Sequence, residues 1–448
     1  MLSDPIAALA TAPGRAALAV VRLSGSGAFD IAARVIDGFS VEPARTARLA
    51  TFRAADGLPA DRGLYLTFPA PHSYTGEDLV ELSCHGGLLV PGLVLSALHA
   101  AGARPAAPGE FTRRGVLNGK LDLLQAEAVA DLIDATATAQ ARSAIRQLDG
   151  GLSRRLSDLR ERLIELLALL AYEVDFPDED DSPVGLEQIA GLLSETTRQV
   201  EALLATAPAG ERIHEGALVV FAGRPNAGKS SLFNALLGTE RALVTEVPGT
   251  TRDTIEAATE VDGWPVRLAD TAGLWEAPER LDRMGVEVSR KYLGAADLVL
   301  LCVEAGQAVE SEEQHILEGR PVLLVRTKAD LRDDRAADPV TEGSVTVSAI
   351  TGSGLDGLRR RIAERLFGGG KGGYADLEPM LTRERHRVAL HRALGALVAA
   401  TPHFQEDGDA VLAAHHVRQA VLALDELVGA IDAEEIFDRI FSRFCVGK

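Results

Sequence analysis

The chain has 448 residues, more than one hydrophobic core usually holds, so its length predicts two or three domains. Hydrophobic residues make up 46% of the chain and charged residues 25%, a globular composition that excludes disorder of the whole chain. The formal net charge of −19 disfavours unaided adhesion to nucleic acid or to an anionic membrane. Aromatic residues are only 4%, which argues against binding of single strands by many stacked bases.

The cysteines and the apolar runs predict a cytoplasmic protein with no membrane contact. Cys84, Cys302 and Cys445 form no CxxC pair, which fits a reducing compartment and no disulfide scaffold. No apolar run reaches membrane-spanning length, and the first residues lack the basic start of a signal peptide. The acidic excess lies mainly in residues 120–215 and 216–379, whereas residues 1–119 contain equal numbers of acidic and basic side chains.

Four parts of the chain differ in their residue pattern. Residues 1–119 mix strand-like and helix-like segments, as in an α+β domain. Residues 120–215 have the apolar spacing of helices, with a continuous pattern over 121–148 and an acidic loop at 175–181 that we interpret as solvated surface. Residues 216–379 alternate strands with helices, and residues 380–448 are again helical. The simplest architecture is an all-α domain, divided between 120–215 and 380–448, into which an α/β domain is inserted.

A glycine-rich loop predicts a phosphate-binding site at the start of the α/β part. Residues 223–230 read GRPNAGKS and fit the pattern G-x4-G-K-[ST], between a strand pattern at 217–222 and a helix pattern at 231–237. Backbone N–H groups of such a loop cradle phosphates, Lys229 would reach the β- and γ-phosphates, and Ser230 would bind Mg²⁺.

Three further motifs follow in order, each at the end of a predicted strand. They are DTAG at 270–273, TKAD at 327–330 and SAI at 348–350. Together with the phosphate loop they resemble the GTPase motif set, in which Asp330 would pair with the guanine edge. This set favours GTP over ATP, which a phosphate loop alone does not decide.

Two positions depart from the usual GTPase pattern. Thr327 stands where GTPases have an asparagine that bridges the base loop and the phosphate loop, so we expect guanine preference to survive through Asp330 with weaker affinity. Leu274 stands where Ras-like enzymes have the glutamine that orients the attacking water. Hydrolysis is therefore very slow, or another group positions the water.

The segment between the first two motifs resembles that of GTPases which bind K⁺ beside the phosphates. Thr251 is the candidate second Mg²⁺ ligand, and the resemblance makes Asn226, Thr245, Val247 and Thr250 the K⁺ ligands. In such enzymes K⁺ supplies the charge that an arginine finger supplies elsewhere. The alternative is a plain Mg²⁺-dependent switch loop.

Over essentially its whole length the chain resembles the MnmE (TrmE) family of tRNA uridine-modification GTPases. The stretches that carry this resemblance are the phosphate loop, 249–253 (GTTRD), 13–15 (PGR), 74–78 (YTGED), 85–87 (HGG), 108–111 (PGEF), 120–122 (KLD) and the final FCVGK at 444–448. The resemblance implies a folate-binding, dimerising N-terminal domain at 1–119, a helical domain at 120–215 and 380–448, and a GTPase domain at 216–379. It also implies a homodimer, K⁺- and dimerisation-stimulated hydrolysis, and a heterotetramer with a flavoprotein of the MnmG (GidA) type. That pair would install an aminomethyl-type group on carbon 5 of the wobble uridine of certain tRNAs.

The resemblance also implies the site residues, position by position. Arg22, Glu81, Lys120 and Lys448 match positions that bind 5-formyl-tetrahydrofolate, where Arg and Lys suit its carboxylates and Glu its pterin edge. The expected GTP-binding residues are Asn226, Ala227, Gly228, Lys229, Ser230, Ser231, Thr245, Glu246, Val247, Pro248, Gly249, Thr250, Thr251, Asp270, Thr271, Ala272, Gly273, Thr327, Lys328, Ala329, Asp330, Ser348, Ala349 and Ile350.

Catalytic roles are expected for Lys229, Asp282 and Cys445. Asp282 matches the family's hydrolytic acid, usually a longer Glu, and the neighbouring Glu279 is the alternative. Cys445 is either a thiol near the one-carbon group or a lining thiol, while Cys84 and Cys302 lie in strand patterns and are expected in the core. Two other functions remain open: a ribosome-assembly GTPase, and a folate aminomethyltransferase regulated by GTP.

Overall fold

The structure is a computed structural model. It describes residues 4–175, 186–238, 243–244, 255–270, 291–310, 319–331, 343–368, 380–404, 408–429, 440–441 and 444–447. The chain divides into two compact units, residues 1–130 with 425–448 and residues 131–424. The α+β, all-α and α/β parts predicted from the sequence are confirmed, and the four-part division, which is finer than these two units, stays a prediction. Within the residues just given, no helix is long and apolar enough to cross a membrane.

The first unit is built on a six-stranded sheet in the order β3-β4-β5-β2-β1-β6. Strands β1 to β6 are Ile6–Leu9, Leu18–Ser24, Arg48–Arg53, Pro59–Phe68, Leu79–His85 and Arg104–Pro105. β1 and β6 pair in parallel and the other neighbours are antiparallel. The helices that follow in chain order are α1 (Ala28–Val35), α2 (Val90–Ala100), α3 (Glu110–Leu117) and α4 (Leu123–Asp134). The first two pack on one face of the sheet, over a core that contains Cys84 as predicted.

The second unit holds the inserted α/β part, a seven-stranded sheet in the order β13-β12-β11-β7-β10-β9-β8. Strands β7 to β13 are Ala217–Ala222, Leu243–Val244, Ile255–Val261, Trp264–Asp270, Leu298–Glu304, Val322–Thr327 and Val345–Thr346. Five of them are parallel, and β8 and β9 form the antiparallel edge. β7 lies in the middle and every one of its residues is buried, so the phosphate loop leaves the centre of the sheet.

Along the chain, helices precede and follow this sheet, in the order expected for an inserted domain. The preceding ones are α5 (Thr138–Leu148), α6 (Gly151–Asp175), α7 (Leu186–Leu204) and α8 (Ala207–Glu215). Within the α/β part are α9 (Lys229–Leu237) and α10 (Leu355–Phe367), and α11 (Glu384–Ala400) and α12 (Ala410–Val428) follow it. Most of the acidic loop at 175–181 lies outside the described residues, and so do residues 430–439 and 442–443 of the C-terminal part predicted to be helical.

The prediction of one continuous helix over 121–148 is wrong, because α4 ends at Asp134 and α5 begins at Thr138. The Gln140 side chain accepts hydrogen bonds from the backbone N–H groups of Thr136 (2.9 Å) and Ala137 (3.1 Å). The carboxylate of Glu260, in strand β9, accepts the N–H of Thr138 at 2.9 Å. These acceptors satisfy backbone N–H groups that have no partner within a helix at its start. The helix is therefore interrupted here, and α5 begins separately.

A buried arginine joins distant segments of the first unit. The Arg114 side chain is 1% exposed, and its guanidinium donates to Glu77 (3.0 Å), Glu110 (2.9 Å) and Asp4 (3.2 Å). Arg104 donates to the same Glu110 and Asp4. A charge removed from water in this way is tolerated only when it is paired, so these carboxylates are what allow Arg114 to be buried.

The same network sets the ionisation of Glu110. Burial by itself would raise the pKa of this carboxyl, but hydrogen bonds from Arg104, the Ala107 N–H and Arg114 outweigh burial and lower the pKa from 4.5 to about 2. Because the folded pKa is depressed, the stabilisation is fully present above about pH 4.5. It is lost as the pH falls from there toward 2.

We therefore predict that Arg114→Met destabilises the first unit by about 3–5 kcal/mol, since it removes the arginine partner of Glu77 and one of the two arginine partners of the buried Glu110. Hydrogen exchange measured by mass spectrometry should show faster exchange in β1, β2 and α3, with peptides of residues 186–238 unaffected. The control is Arg53→Met, which removes an exposed pair with Asp37 and should change exchange little. Wild-type exchange rates in the Arg114 variant would contradict the prediction.

Candidate functional site

The phosphate loop at 223–230 connects β7 to α9 and needs its glycines for steric reasons. Gly223 has φ +132°, and a β-carbon there would lie 2.2 Å from the carbonyl oxygen of Cys302 in the neighbouring strand β11. Gly228 (φ +83°) and Asn226 (φ +64°) are also in the left-handed region, which asparagine tolerates better than most residues. The loop therefore folds close over the sheet and leads directly into the N-terminus of α9.

Lys229 is held inside this loop. Its side chain is buried, and its ammonium donates to the carbonyl oxygens of Gly223 (2.9 Å) and Arg224 (2.6 Å). Ser230, the next residue, is exposed at the first turn of the helix. A cation and a helix N-terminus beside the backbone N–H groups of a glycine-rich loop form an arrangement that attracts phosphate.

The predicted base loop follows β12, on the same edge of the sheet. Asp330 accepts a hydrogen bond from the Ser348 hydroxyl at 2.5 Å, and that hydroxyl accepts the Thr351 N–H at 3.1 Å. Lys328 forms an ion pair with Glu304, the last residue of β11, at 2.9 Å. TKAD and SAI, which are distant in sequence, are thus brought together as predicted.

Thr327 joins the base loop to the phosphate loop. Its hydroxyl donates to the carbonyl oxygen of Ala227 at 2.6 Å, and Thr327 itself is buried. The expected departure from asparagine therefore keeps one contact across the two loops, through a hydroxyl instead of an amide.

A cavity of about 180 Å³ lies between these two loops. It is lined by Gly228, Ser231, Leu232, Thr327, Lys328, Asp330, Leu331, Val347, Ala349 and Ile350. Its walls are largely aliphatic and its one carboxylate is Asp330, a combination that suits a flat base carrying hydrogen-bond donors. Leu331, Leu232, Val347 and Glu304 are not among the residues predicted from sequence motifs; an acidic residue directly after the apolar run 298–303 was the available signal for Glu304.

Asp270 ends β10, directly beside β7 in the sheet, and is buried. Its carboxylate and the Ser230 hydroxyl are oxygen donors of the kind that Mg²⁺ prefers. No group of three or more His, Cys, Asp or Glu side chains able to hold a metal occurs among the residues that the structure describes. With these two oxygen donors, a Mg²⁺ ion would need further oxygen ligands, which the phosphates of a nucleotide would supply.

Several predicted site residues lie outside the described residues. They are Thr245, Glu246, Val247, Pro248, Gly249, Thr250, Thr251, Thr271, Ala272, Gly273, Asp282 and Lys448. Their predicted roles stay predictions. Cys302 is buried under the phosphate loop, as expected for a core residue, and burial raises the pKa of its thiol to about 12, so it stays protonated.

A second cluster in the first unit surrounds Arg22. Arg22 and Glu81 are cross-strand partners on β2 and β5, and their side chains pair at 2.7 Å. The guanidinium of Arg22 also lies over the rings of Tyr74 (5.4 Å) and Phe111 (5.6 Å). These aromatics belong to the YTGED and PGEF stretches, whose pattern alone predicts no role for the rings.

The C-terminal motif docks on this cluster. Val446 forms an isolated antiparallel β-bridge with Pro108, and the carbonyl oxygen of Cys445 accepts a hydrogen bond from the Gly109 N–H at 3.3 Å. The carbonyl oxygen of Gly447 accepts a hydrogen bond from the Arg22 guanidinium at 3.4 Å. Gly447 has φ +102°, and a β-carbon there would lie 2.2 Å from the carbonyl oxygen of Leu9. The tail is therefore fitted closely to the unit, with the Cys445 residue exposed.

Lys120 lies next to the 74–78 loop. A β-carbon on Gly76 would be 3.2 Å from Lys120 Cγ, and Lys120 itself is exposed. Arg22, Glu81 and the tail are thus brought together, with Lys120 beside the loop that supplies Tyr74.

Two family models and many curated relatives match this chain. A family model described as the GTP-binding protein TrmE N-terminus matches residues 5–120, and one described as the MnmE helical domain matches residues 123–445. The chain is 42% identical over 454 residues to the tRNA modification GTPase MnmE of Laribacter hongkongensis, covering 100% of this chain and 99% of that protein. It is 43% identical over 456 residues to the protein of the same name from Bordetella parapertussis, covering 100% of both.

Among solved structures, the chain is similar to the G domain of the T. maritima FeoB iron transporter, with 32% identity and a TM-score of 0.27. That match covers 33% of this chain and 98% of the G domain. Because the two family models and the full-length relatives extend over both units, the chain belongs to the MnmE family of tRNA modification GTPases.

Proposed function

We propose that this chain hydrolyses GTP and, with a flavoprotein partner of the MnmG (GidA) type, adds an aminomethyl or carboxymethylaminomethyl group to carbon 5 of the wobble uridine of certain tRNAs. The observation that best supports the GTP part is the hydrogen bond from Thr327 to Ala227, which unites the base loop and the phosphate loop around one cavity. Family membership supports the tRNA part.

In this proposal, each loop of the site holds one part of the nucleotide. Asp330, oriented by Ser348, accepts hydrogen bonds from the guanine edge, which adenine does not offer. Lys229 moves from its loop carbonyls to the β- and γ-phosphates, whose charge it is placed to neutralise. The Ser230 hydroxyl and the Asp270 carboxylate would bind the Mg²⁺ that accompanies the phosphates.

For hydrolysis we propose that Asp282 orients or activates the attacking water, since Leu274 has no polar group for this purpose. Asp282 is one methylene shorter than the glutamate usual in the family, and a bridging water would make up the difference. K⁺ held by Asn226, Thr245, Val247 and Thr250 would stabilise the charge that develops between the β- and γ-phosphates. Asn226 is exposed with a left-handed backbone at the rim of the loop, which fits a ligand outside the phosphate cradle.

The Arg22 cluster is the proposed folate site. Arg22 is held by Glu81, two aromatic rings and the tail, so its guanidinium is oriented before any ligand arrives. Lys120 and Lys448 would add positive charge for the carboxylates of a tetrahydrofolate one-carbon donor. The tail fixed beside Arg22 carries Cys445, the candidate thiol next to that one-carbon unit.

We further propose a homodimer that joins two flavoprotein subunits in a heterotetramer. The acidic balance of this chain makes unaided capture of tRNA unfavourable, so tRNA binding would depend mainly on the flavoprotein. Tight binding of tRNA to this chain alone at physiological salt would contradict that dependence.

Removing the Thr327 hydroxyl tests the link between the two loops. Thr327→Val should weaken GTP binding about fivefold, the effect of losing one hydrogen bond of about 1 kcal/mol, as measured by titration calorimetry. Thr327→Asn should bind GTP at least as tightly as wild type, because it restores the usual amide.

Asp330→Asn should lower the preference for GTP over ATP. Equal ATP and GTP affinity in the wild type would contradict the assignment of the base.

Replacing K⁺ by Na⁺ tests the proposed hydrolytic mechanism. GTP turnover should fall at least tenfold in Na⁺, both with and without the flavoprotein, while GTP affinity stays nearly constant. In the same assay Asp282→Ala should reduce turnover and leave GTP binding intact. Equal turnover in the two salts would remove K⁺ from the mechanism, and an Asp282 variant with unchanged turnover would remove that residue.

Analysis of wobble uridines in a deletion strain tests the overall function. We expect tRNAs that lack the carbon 5 modification, restored by the wild-type chain. They should not be restored by Lys229→Ala, which removes the phosphate-binding ammonium. Normal modification together with a defect in ribosome assembly would support the alternative function of a ribosome-assembly GTPase.

A further inference from the structure

Glu304 stands at the point where the nucleotide site meets strand β11. It is the last residue of that strand and lies opposite Thr327 in the parallel register with β12. Directly after it, the Ala305 N–H donates to the Thr327 carbonyl oxygen at 2.9 Å. Strand pairing and this hydrogen bond fix the backbone at Glu304 beneath the base loop. The side chain of Glu304 therefore starts from a fixed position.

The carboxylate of Glu304 holds the far end of Lys328. The ammonium of Lys328 lies 2.9 Å from Glu304 Oε2, and both side chains are about one-third exposed (31% and 33%). Lys328 has a left-handed backbone (φ +56°), and it also lines the cavity. A lysine fixed at both its backbone and its ammonium presents its four-carbon stem as a stable apolar surface.

Order in this stem matters because a free lysine side chain is among the most mobile. Immobilising it costs conformational free energy, which a ligand must otherwise overcome when it binds. An ion pair formed within the protein removes part of that cost before binding. The base loop here has particular need of such support, since Thr327 replaces the asparagine amide with a single hydroxyl contact.

We propose that Glu304 is a positioning residue for the nucleotide: it anchors Lys328 so that the lysine stem forms the wall of the cavity against which the purine ring packs. The inference rests on the proposed binding of GTP in this cavity and assigns a role to a residue outside the four GTPase motifs. The contact is with the face of the ring, so it strengthens purine binding generally, whereas Asp330 reads the guanine edge.

The test compares Glu304→Gln, which removes the charge at nearly constant size, with wild type. GTP binding should weaken about three- to fivefold, the range expected for a partly exposed ion pair, with kcat nearly unchanged and KM raised by the same factor. Inosine triphosphate lacks the 2-amino group of guanine, so its binding should weaken by the same factor as that of GTP. The matched control is Glu364→Gln, which removes a partly exposed pair with Arg361 on α10, away from the cavity, and should leave GTP binding unchanged.

A double variant separates positioning from general destabilisation. Lys328→Met keeps an unbranched apolar stem without the ammonium, so adding Glu304→Gln to it should cause no further loss of affinity. The proposal is overturned if Glu304→Gln binds GTP as tightly as wild type. A full second loss in the double variant, or a fall in kcat equal to the rise in KM, would also overturn it. Wild-type protein that fails to bind GTP would instead contradict the proposed function.

Discussion

The nucleotide site depends on one short contact, the hydrogen bond from the Thr327 hydroxyl to the Ala227 carbonyl oxygen. The phosphate loop leaves β7 and the base loop leaves β12, and β11 separates the two strands in the sheet. A base and its phosphates are covalently joined, so two loops that bind them must keep a fixed separation. The parallel sheet sets that separation coarsely, and the Thr327 contact sets it at the level of individual atoms.

The same sheet also connects the GTPase part to the helices around it. The turn between β9 and β10 contacts the start of α5, where the Gly263 carbonyl oxygen accepts the Ala139 N–H at 2.9 Å and Glu260 caps Thr138. Trp264, at the same turn, stacks on Phe367 with ring centroids 4.5 Å apart. β10 ends at Asp270, at the nucleotide site, and begins at this junction. One pair of strands thus reaches from the candidate nucleotide site to the helices within the second unit.

Sequence patterns predicted features that are encoded locally. The phosphate loop, TKAD and SAI lie at the ends of their strands as expected, and Asp270 ends β10, while the rest of DTAG lies outside the described residues. A loop that binds phosphate needs particular residues at fixed spacing: Gly223 and Gly228, for example, have backbone angles that favour glycine. The break between α4 and α5 could not be predicted in this way. Its cause includes Glu260, which is more than one hundred residues away in sequence. Glu304 and the rings of Tyr74 and Phe111 were missed for a related reason, since their roles arise only from partners brought close by folding.

The distribution of charge acquires a structural meaning in the first unit. Residues 1–119 have no net charge, and several of their charged side chains are paired with one another. Arg104 and Arg114 form ion pairs with Asp4, Glu77 and Glu110, and Arg22 pairs with Glu81. Paired charges contribute little long-range field, so these ion pairs do not attract a polyanion at a distance. Arg22 can still bind an anion at close range, because one Glu81 oxygen accepts from two of its nitrogens and leaves part of the guanidinium fork available.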